Sequence, residues 1–430
     1  MSTFRIVVLV VFVVFAVVGV AIFAGVGGFF GSDSGEGAPV LIWGTLPGAV
    51  MTSVLGDLVD ARKGFDLVTY VAKDPRTYEA DFVEALATGS GPDLLLLPHD
   101  LLVSHANKLI AIPYSSFSER AFKDAFIEEG ELFLSPQGII GLPFLVDPMV
   151  MYWNRAIFAT EGVAKPPAYW DEFFLLAPKM TKRDQASNIT RSFVSLGEYG
   201  NVTHAKALLS ALMMQAGNRI VERGTQGLTS VLTEGAGTSA AGAEAALRFY
   251  TEFSNPVKSV YSWNRALPES RQMFLAGDLG VYFGFASELS ELRRANPNLN
   301  FDVASLPQSR DAADRTTYGR LSALVIPRIA SNANAALSAA FALSDAPSLS
   351  ALTALTGLPP VRRDLLAKTP TDAFQSVFYA SALQAKAWLD PNPKETERIF
   401  RAMVEGITSG RENISGALRT AHSEISNLLR

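Results

Sequence analysis

Apolar and polar positions divide this chain into a long charge-free opening and a body of short apolar runs alternating with helix-spaced segments. Ile6 to Phe30 is a stretch of 25 residues without a charged side chain. A membrane span needs roughly 20 such residues, whereas a cleaved leader has an apolar core of only about 7–15. The pattern therefore predicts an uncleaved transmembrane helix over 1–30, with a cleaved signal as the lesser alternative. Arg5 is the only charged residue before Gly31, so the positive-inside tendency keeps the N-terminus cytoplasmic and exports the rest. The Gly/Ser-rich linker at 31–38 is polar and flexible in character.

In the body, "VLIWGT" (40–45), "FDLVTYV" (65–71) and "DLLLL" (93–97) read as strands buried on both faces. Helical spacing between them, as over 78–86, predicts an α/β sheet with covering helices. From Asn154 onward helices are expected over 154–160, 169–179, 203–216, 240–253 and 268–276, and again over 332–344 and 347–356. Strands are expected at 279–284, 301–307 and 321–327. The final helix is amphipathic, with Ile414, Ala417, Leu418, Ala421, Ile425 and Leu428 three and four apart.

Composition narrows the chemistry. A length of 430 residues supports two ordinary domains. The net charge is −5 and no basic run is interleaved with aromatics, which argues against nucleic acid as a partner. The chain has no cysteine, which removes disulfides, thiolate metal sites and a cysteine nucleophile. Its four histidines are scattered without metal-ligand spacing, and no cofactor is expected. Asn188, Asn201 and Asn413 open Asn-x-Ser/Thr sequences, which matter only in a host that glycosylates exported proteins.

"GLPFLVDPMVMYWNRAIF" (141–158) places one acid, Asp147, and a proline inside an otherwise apolar strand. This stretch, followed by "KPPAYWDEF" (165–173), resembles the inter-lobe crossing of extracellular solute-binding proteins of the carbohydrate type, the maltose-binding-protein-like class that feeds ABC importers. "LIWGT" (41–45), "PDLLLLPHDLLVSHANKLIAIP" (92–113), "RQMFLAGDLGVYFGFASEL" (271–289), "LVIPRIASNANAALSAAFAL" (324–343), "GLPPVRRDLL" (357–366) and "VEGITSGRENISGAL" (404–418) resemble further family segments in the same order.

The resemblance implies a two-lobed α/β periplasmic-binding-protein fold of type II. Lobe 1 would take 39–147 and 304–356, and lobe 2 would take 148–303 and 357–430. It further implies a non-enzymatic, membrane-anchored, extracytoplasmic protein. Such a protein captures a small polar solute, a sugar or oligosaccharide, by hinge closure and delivers it to permease subunits in the membrane. Asp147 at the crossing would then accept hydrogen bonds from the solute, since a lone buried carboxylate is otherwise costly. The family's contact positions fall on Trp43, Asp100 (beside His99), Trp153, Tyr199 and Phe285, with Trp388 placed more loosely. Core packing is the ordinary fate of the aromatics, and N-capping that of Asp100. Trp263 is as well explained by packing, and Arg362 by solvation. Three alternatives stay open. One is a sensory or scaffolding ectodomain of the same fold. Another is a cationic solute such as a polyamine, met by Asp100, Asp147 and Glu198. The last and weakest is a glycosidase using paired carboxylates.

Overall fold

The computed structural model describes residues 38–224, 227–233, 241–310, 312 and 314–430. The apolar opening at 6–30, with the transmembrane helix expected there, lies outside the described residues. Among the described residues no single helix is long and apolar enough to cross a membrane.

The body is α/β. Strands Val68–Ala72, Val40–Gly44 and Leu94–Pro98 run parallel in that spatial order. Thr317–Pro327 joins antiparallel to Leu94–Pro98, and Gly141–Asn154 lies antiparallel beside it. Beyond come Leu279–Phe285 and Ile189–Val194, with Phe301–Ser305 also paired to Gly141–Asn154. The expected strand at 65–71 is displaced. Phe65–Leu67 forms a 3₁₀ turn after Gly64, whose φ of 86° only glycine adopts easily, and the strand begins at Val68. It is an edge strand and partly exposed rather than buried on both faces.

The 14-residue strand Gly141–Asn154 explains the two lobes. Its first part, through Pro148, pairs with the first lobe's Thr317–Pro327 strand, Pro148 lying opposite Gly319. From Met149 its partners become Phe285 and the rest of Leu279–Phe285 on one side and Phe301–Ser305 on the other. Proline has no N–H to give a ladder. Pro148 therefore stands where the strand changes partners, and Pro143 stands beside a bulge between Ser322 and Ala323. One continuous strand thus belongs to both lobes.

Each lobe has its own packing. In the first, helix Gly48–Ala61 lies against Ala346–Thr356, and helix Ala333–Leu343 covers Val40–Gly44. In the second, Trp170, Phe173, Phe193, Phe249, Phe253 and Phe283 form an aromatic core of tilted, edge-to-face and stacked rings, and helix Ala373–Leu383 covers Phe301–Ser305. The expected boundaries put residues 357–366 on the second lobe, but they keep first-lobe partners. Ile127 donates its N–H to the Val361 carbonyl at 3.0 Å, and Arg363–Leu366 packs on Glu119–Ala125.

Candidate functional site in the inter-lobe groove

Helix Ala205–Gln215 of the second lobe lies against the first lobe's Thr317–Pro327 strand. A cavity opens near each of its ends. The larger, about 730 Å³, lies beside Met214 and is bounded by first-lobe residues 114–136 and by second-lobe residues 219–223 and 386–389. The smaller, about 480 Å³, lies at the helix N-terminus. Its walls are His99, Asp100, Tyr318 and Arg320 on one side and Tyr199, Gly200 and Val202 to Ala207 with Glu397 and Arg401 on the other.

The larger cavity contains a feature that the sequence concealed. "EEGE" (128–131) reads as a solvated acidic cluster. It folds as a 3₁₀ segment, Glu128–Phe133, whose three-residue turn puts Glu128 and Glu131 on one face and Glu129 on another. Glu128 pairs with Lys386 at 3.3 Å, and Glu131 with Lys123 at 3.1 Å. Glu129 is only 3% exposed, and neither carboxyl oxygen has a hydrogen-bond partner among the described residues. Its carboxyl lies on the backbone of Gly319, at the point where the crossing strands change partners. A Cβ at Gly319 would collide with both Glu129 carboxyl oxygens, so any larger residue there would displace the carboxyl. Burial, with Asp147's charge added to it, pushes the Glu129 carboxyl up to about 8. The other charges of this wall are engaged. Lys123 also pairs with Glu119 at 2.9 Å, Arg219 with Glu222, and Arg223 donates to the Leu134 carbonyl.

At the smaller cavity, His204 precedes the helix in the left-handed region at φ 59°, a strained conformation for a non-glycine residue. Its Nε2 lies 2.8 Å from Glu288 Oε1, and its Nδ1 lies 3.2 Å from the Arg320 guanidinium of the facing lobe. Burial pushes Glu288 up, but hydrogen bonds from His204, Tyr282 and the Phe285 N–H outweigh it and leave the carboxyl below its ordinary value. His99 is buried between Leu321 and Tyr318, and burial pushes its imidazole down.

The residues singled out from sequence separate into three groups. Asp100 and Tyr199 line the smaller cavity, and the Tyr199 hydroxyl is buried with no hydrogen-bond partner among the described residues. Trp388 lines the larger one, its indole N–H donating to Ser210 at 3.1 Å and its ring stacked on Phe400. Trp43, Asp147, Trp153 and Phe285 line neither. The Lys73 ammonium covers the Trp43 ring at 3.7 Å. Trp153 packs edge-on against Phe158 in the second lobe. Phe285 is fully buried between the Arg320 guanidinium, at 3.6 Å, and the His204 ring.

Asp147 has hydrogen-bond partners inside the fold. Its Oδ1 accepts the Ser287 N–H at 2.9 Å and its Oδ2 the Ser287 hydroxyl at 2.6 Å. Burial raises its pKa, and the Ser287 hydroxyl and the facing Arg320 oppose the rise. The carboxylate thus fastens the 286–288 turn of the second lobe to the crossing strand. Glu198 pairs with Arg265 at 3.4 Å, Trp263 is fully buried, and Arg362 pairs with Asp364 at 2.9 Å.

Known proteins share this architecture. A binding protein of Brucella abortus (strain 2308) is 27% identical over 239 residues, which is 54% of this chain and 54% of that one. The chain thus aligns with about half the length of the curated relatives it matches. The solved cyclic alpha-maltosyl-1,6-maltose binding protein from Arthrobacter globiformis superposes with a TM-score of 0.75. It is 12% identical and covers 91% of this chain and 99% of its own. A cyclo/maltodextrin-binding protein complexed with maltotetraose gives a TM-score of 0.72 at 17% identity, covering 92% and 98%. At these identities the two structures establish the shared fold alone. The family model described as bacterial extracellular solute-binding protein matches residues 60–378, most of the chain, and the chain belongs to that family.

Proposed function

We propose that the protein is a membrane-tethered, extracytoplasmic receptor that holds a small polar solute, a sugar or oligosaccharide, between its lobes and hands it to an ABC permease. The observation that carries this reading is the larger cavity, lined from both lobes. Its volume of about 730 Å³ lies in the range of small-molecule pockets, roughly 300–1,000 Å³. The carbohydrate ligands named for the structural relatives favour a hydroxyl-rich solute. Lobe 1 is taken as 39–148 with 319–366, and lobe 2 as the remainder of the body. Trp388 lines the larger cavity from the second lobe, while Asp100 and Tyr199 serve the adjoining smaller cavity. Ile6–Phe30 would tether the receptor, and no catalytic role is assigned to any residue.

A thermal-shift screen over sugars, polyamines, amino acids and phosphates tests the reading. A solute that binds only the folded state raises the melting temperature in proportion to the logarithm of its concentration above Kd. A shift by sugars is expected. A shift by polyamines alone would replace the sugar assignment, and the absence of any shift would remove the receptor reading.

A further inference from the structure

We propose that Glu129 is the solute-selecting group of the larger inter-lobe cavity, and that its partner is a hydroxyl of an uncharged sugar or polyol. The inference rests on the receptor reading above and goes further, to the atom that selects.

A carboxyl group with two unsatisfied oxygens is rare inside a protein, because an unpaired buried polar group carries its full desolvation cost. The cost is removed if a ligand completes the hydrogen bonding. Glu129 meets that description on geometry: 3% exposed, lining the cavity, pinned against Gly319, and without a partner among the described residues. Charge decides the class of ligand. Lys123, Lys386 and Arg219 already have carboxylate partners, and Arg223 caps a carbonyl. The wall holds five acids, Glu119, Glu128, Glu129, Glu131 and Glu222, against these four cations. It is therefore neutral when Glu129 carries its proton.

Burial pushing Glu129 up to about 8 makes that the prevailing form at neutral pH. A protonated carboxyl presents one O–H donor beside one C=O acceptor. A sugar hydroxyl, itself donor and acceptor, satisfies both. An ammonium offers donors only and would require the ionised acid.

The test is calorimetric titration of the full chain, its Glu129→Gln and its Glu129→Leu variants with maltose, maltotetraose and spermidine between pH 6 and pH 9.5. Glutamine keeps one donor and one acceptor but does not titrate. Sugar binding by the wild type should weaken by about tenfold per pH unit above 8. The glutamine variant should bind within a few-fold of wild type at pH 7 and show no such dependence. The Glu129→Leu variant should lose about tenfold or more. A sugar that binds the wild type and the Glu129→Leu variant alike, or a pH profile that Glu129→Gln leaves unchanged, overturns the proposal while leaving the receptor reading intact. Spermidine binding with release of one proton that Glu129→Gln abolishes also overturns it, since the acid would then serve a cation. Failure of all three probes to bind the wild type overturns the sugar reading itself, and this proposal with it.

Discussion

Glu129 and Asp147 are two carboxyl groups at one pivot, and their surroundings give them opposite duties. Asp147 accepts from Ser287 through both oxygens, whereas Glu129 has no partner among the described residues. The difference is measurable without any solute. The folded protein holds the Glu129 proton up to about pH 8, while the unfolded chain releases it near the ordinary 4.5. The group's contribution to stability is therefore fully present below 4.5 and is lost as pH rises toward 8. The loss runs at about 1.4 kcal/mol per pH unit and then levels off. Urea unfolding at pH 5, 6, 7 and 8 should show this decline in wild type relative to Glu129→Gln; parallel curves for the two would contradict it. Asp147→Ala should cost about 2–4 kcal/mol in the same assay, having removed the acceptor of two hydrogen bonds. An acid at the crossing was legible from one carboxylate in an apolar strand. Which acid faces the cavity was not, because "EEGE" looks like a solvated surface until its 3₁₀ phase is known.

Strongly periodic elements were readable because one physical signal dominated each of them. The continuous apolar run of Leu94–Pro98 and the three-and-four spacing of Ile414–Leu428 are examples. Ile189–Val194 escaped notice because Thr190, Arg191 and Ser192 interrupt its apolar pattern, and it is a strand through its pairing with Leu279–Phe285 and with Lys182–Arg183. The partner switch at Pro148 was equally hidden, since it depends on two strands distant in sequence. Helix Ala205–Gln215, which separates the two cavities, is held by an ion pair that no local pattern announces. Lys206 Nζ reaches Asp390 at 2.6 Å and the Thr396 hydroxyl at 2.7 Å, and Asp390 is 2% exposed. Breaking such a pair from one side leaves an uncompensated buried charge, at about 3–5 kcal/mol. Lys206→Met should therefore lower unfolding stability by about that amount. A loss below about 1 kcal/mol would show that the pair contributes little to seating the helix.

Across the whole molecule, the lobes meet through contacts beside the shared strand, such as Asp147 with Ser287 and Arg320 with His204, and elsewhere through solvent-exposed pairs. Glu79–Lys394 at 3.5 Å joins side chains that are 32% and 85% exposed, and Glu128–Lys386 is similarly open to solvent. Exposed pairs of this kind are worth about 0–1 kcal/mol each and are screened by salt. Ser104 adds one hydrogen bond to the Pro391 carbonyl at 3.0 Å. A solute filling the cavity from both sides would supply the differential energy that favours the closed arrangement, as a shift between two states requires. The absence of cysteine makes this directly measurable, because Arg120→Cys in the first lobe and Val257→Cys in the second introduce the only two thiols. Both positions are about nine-tenths exposed and line neither cavity. Spin labels at these sites report the inter-lobe distance by pulsed electron resonance. A saturating sugar, identified by its thermal shift, should convert a broad distribution into a single shorter distance. An unchanged distribution under the same saturating sugar would contradict capture between the lobes.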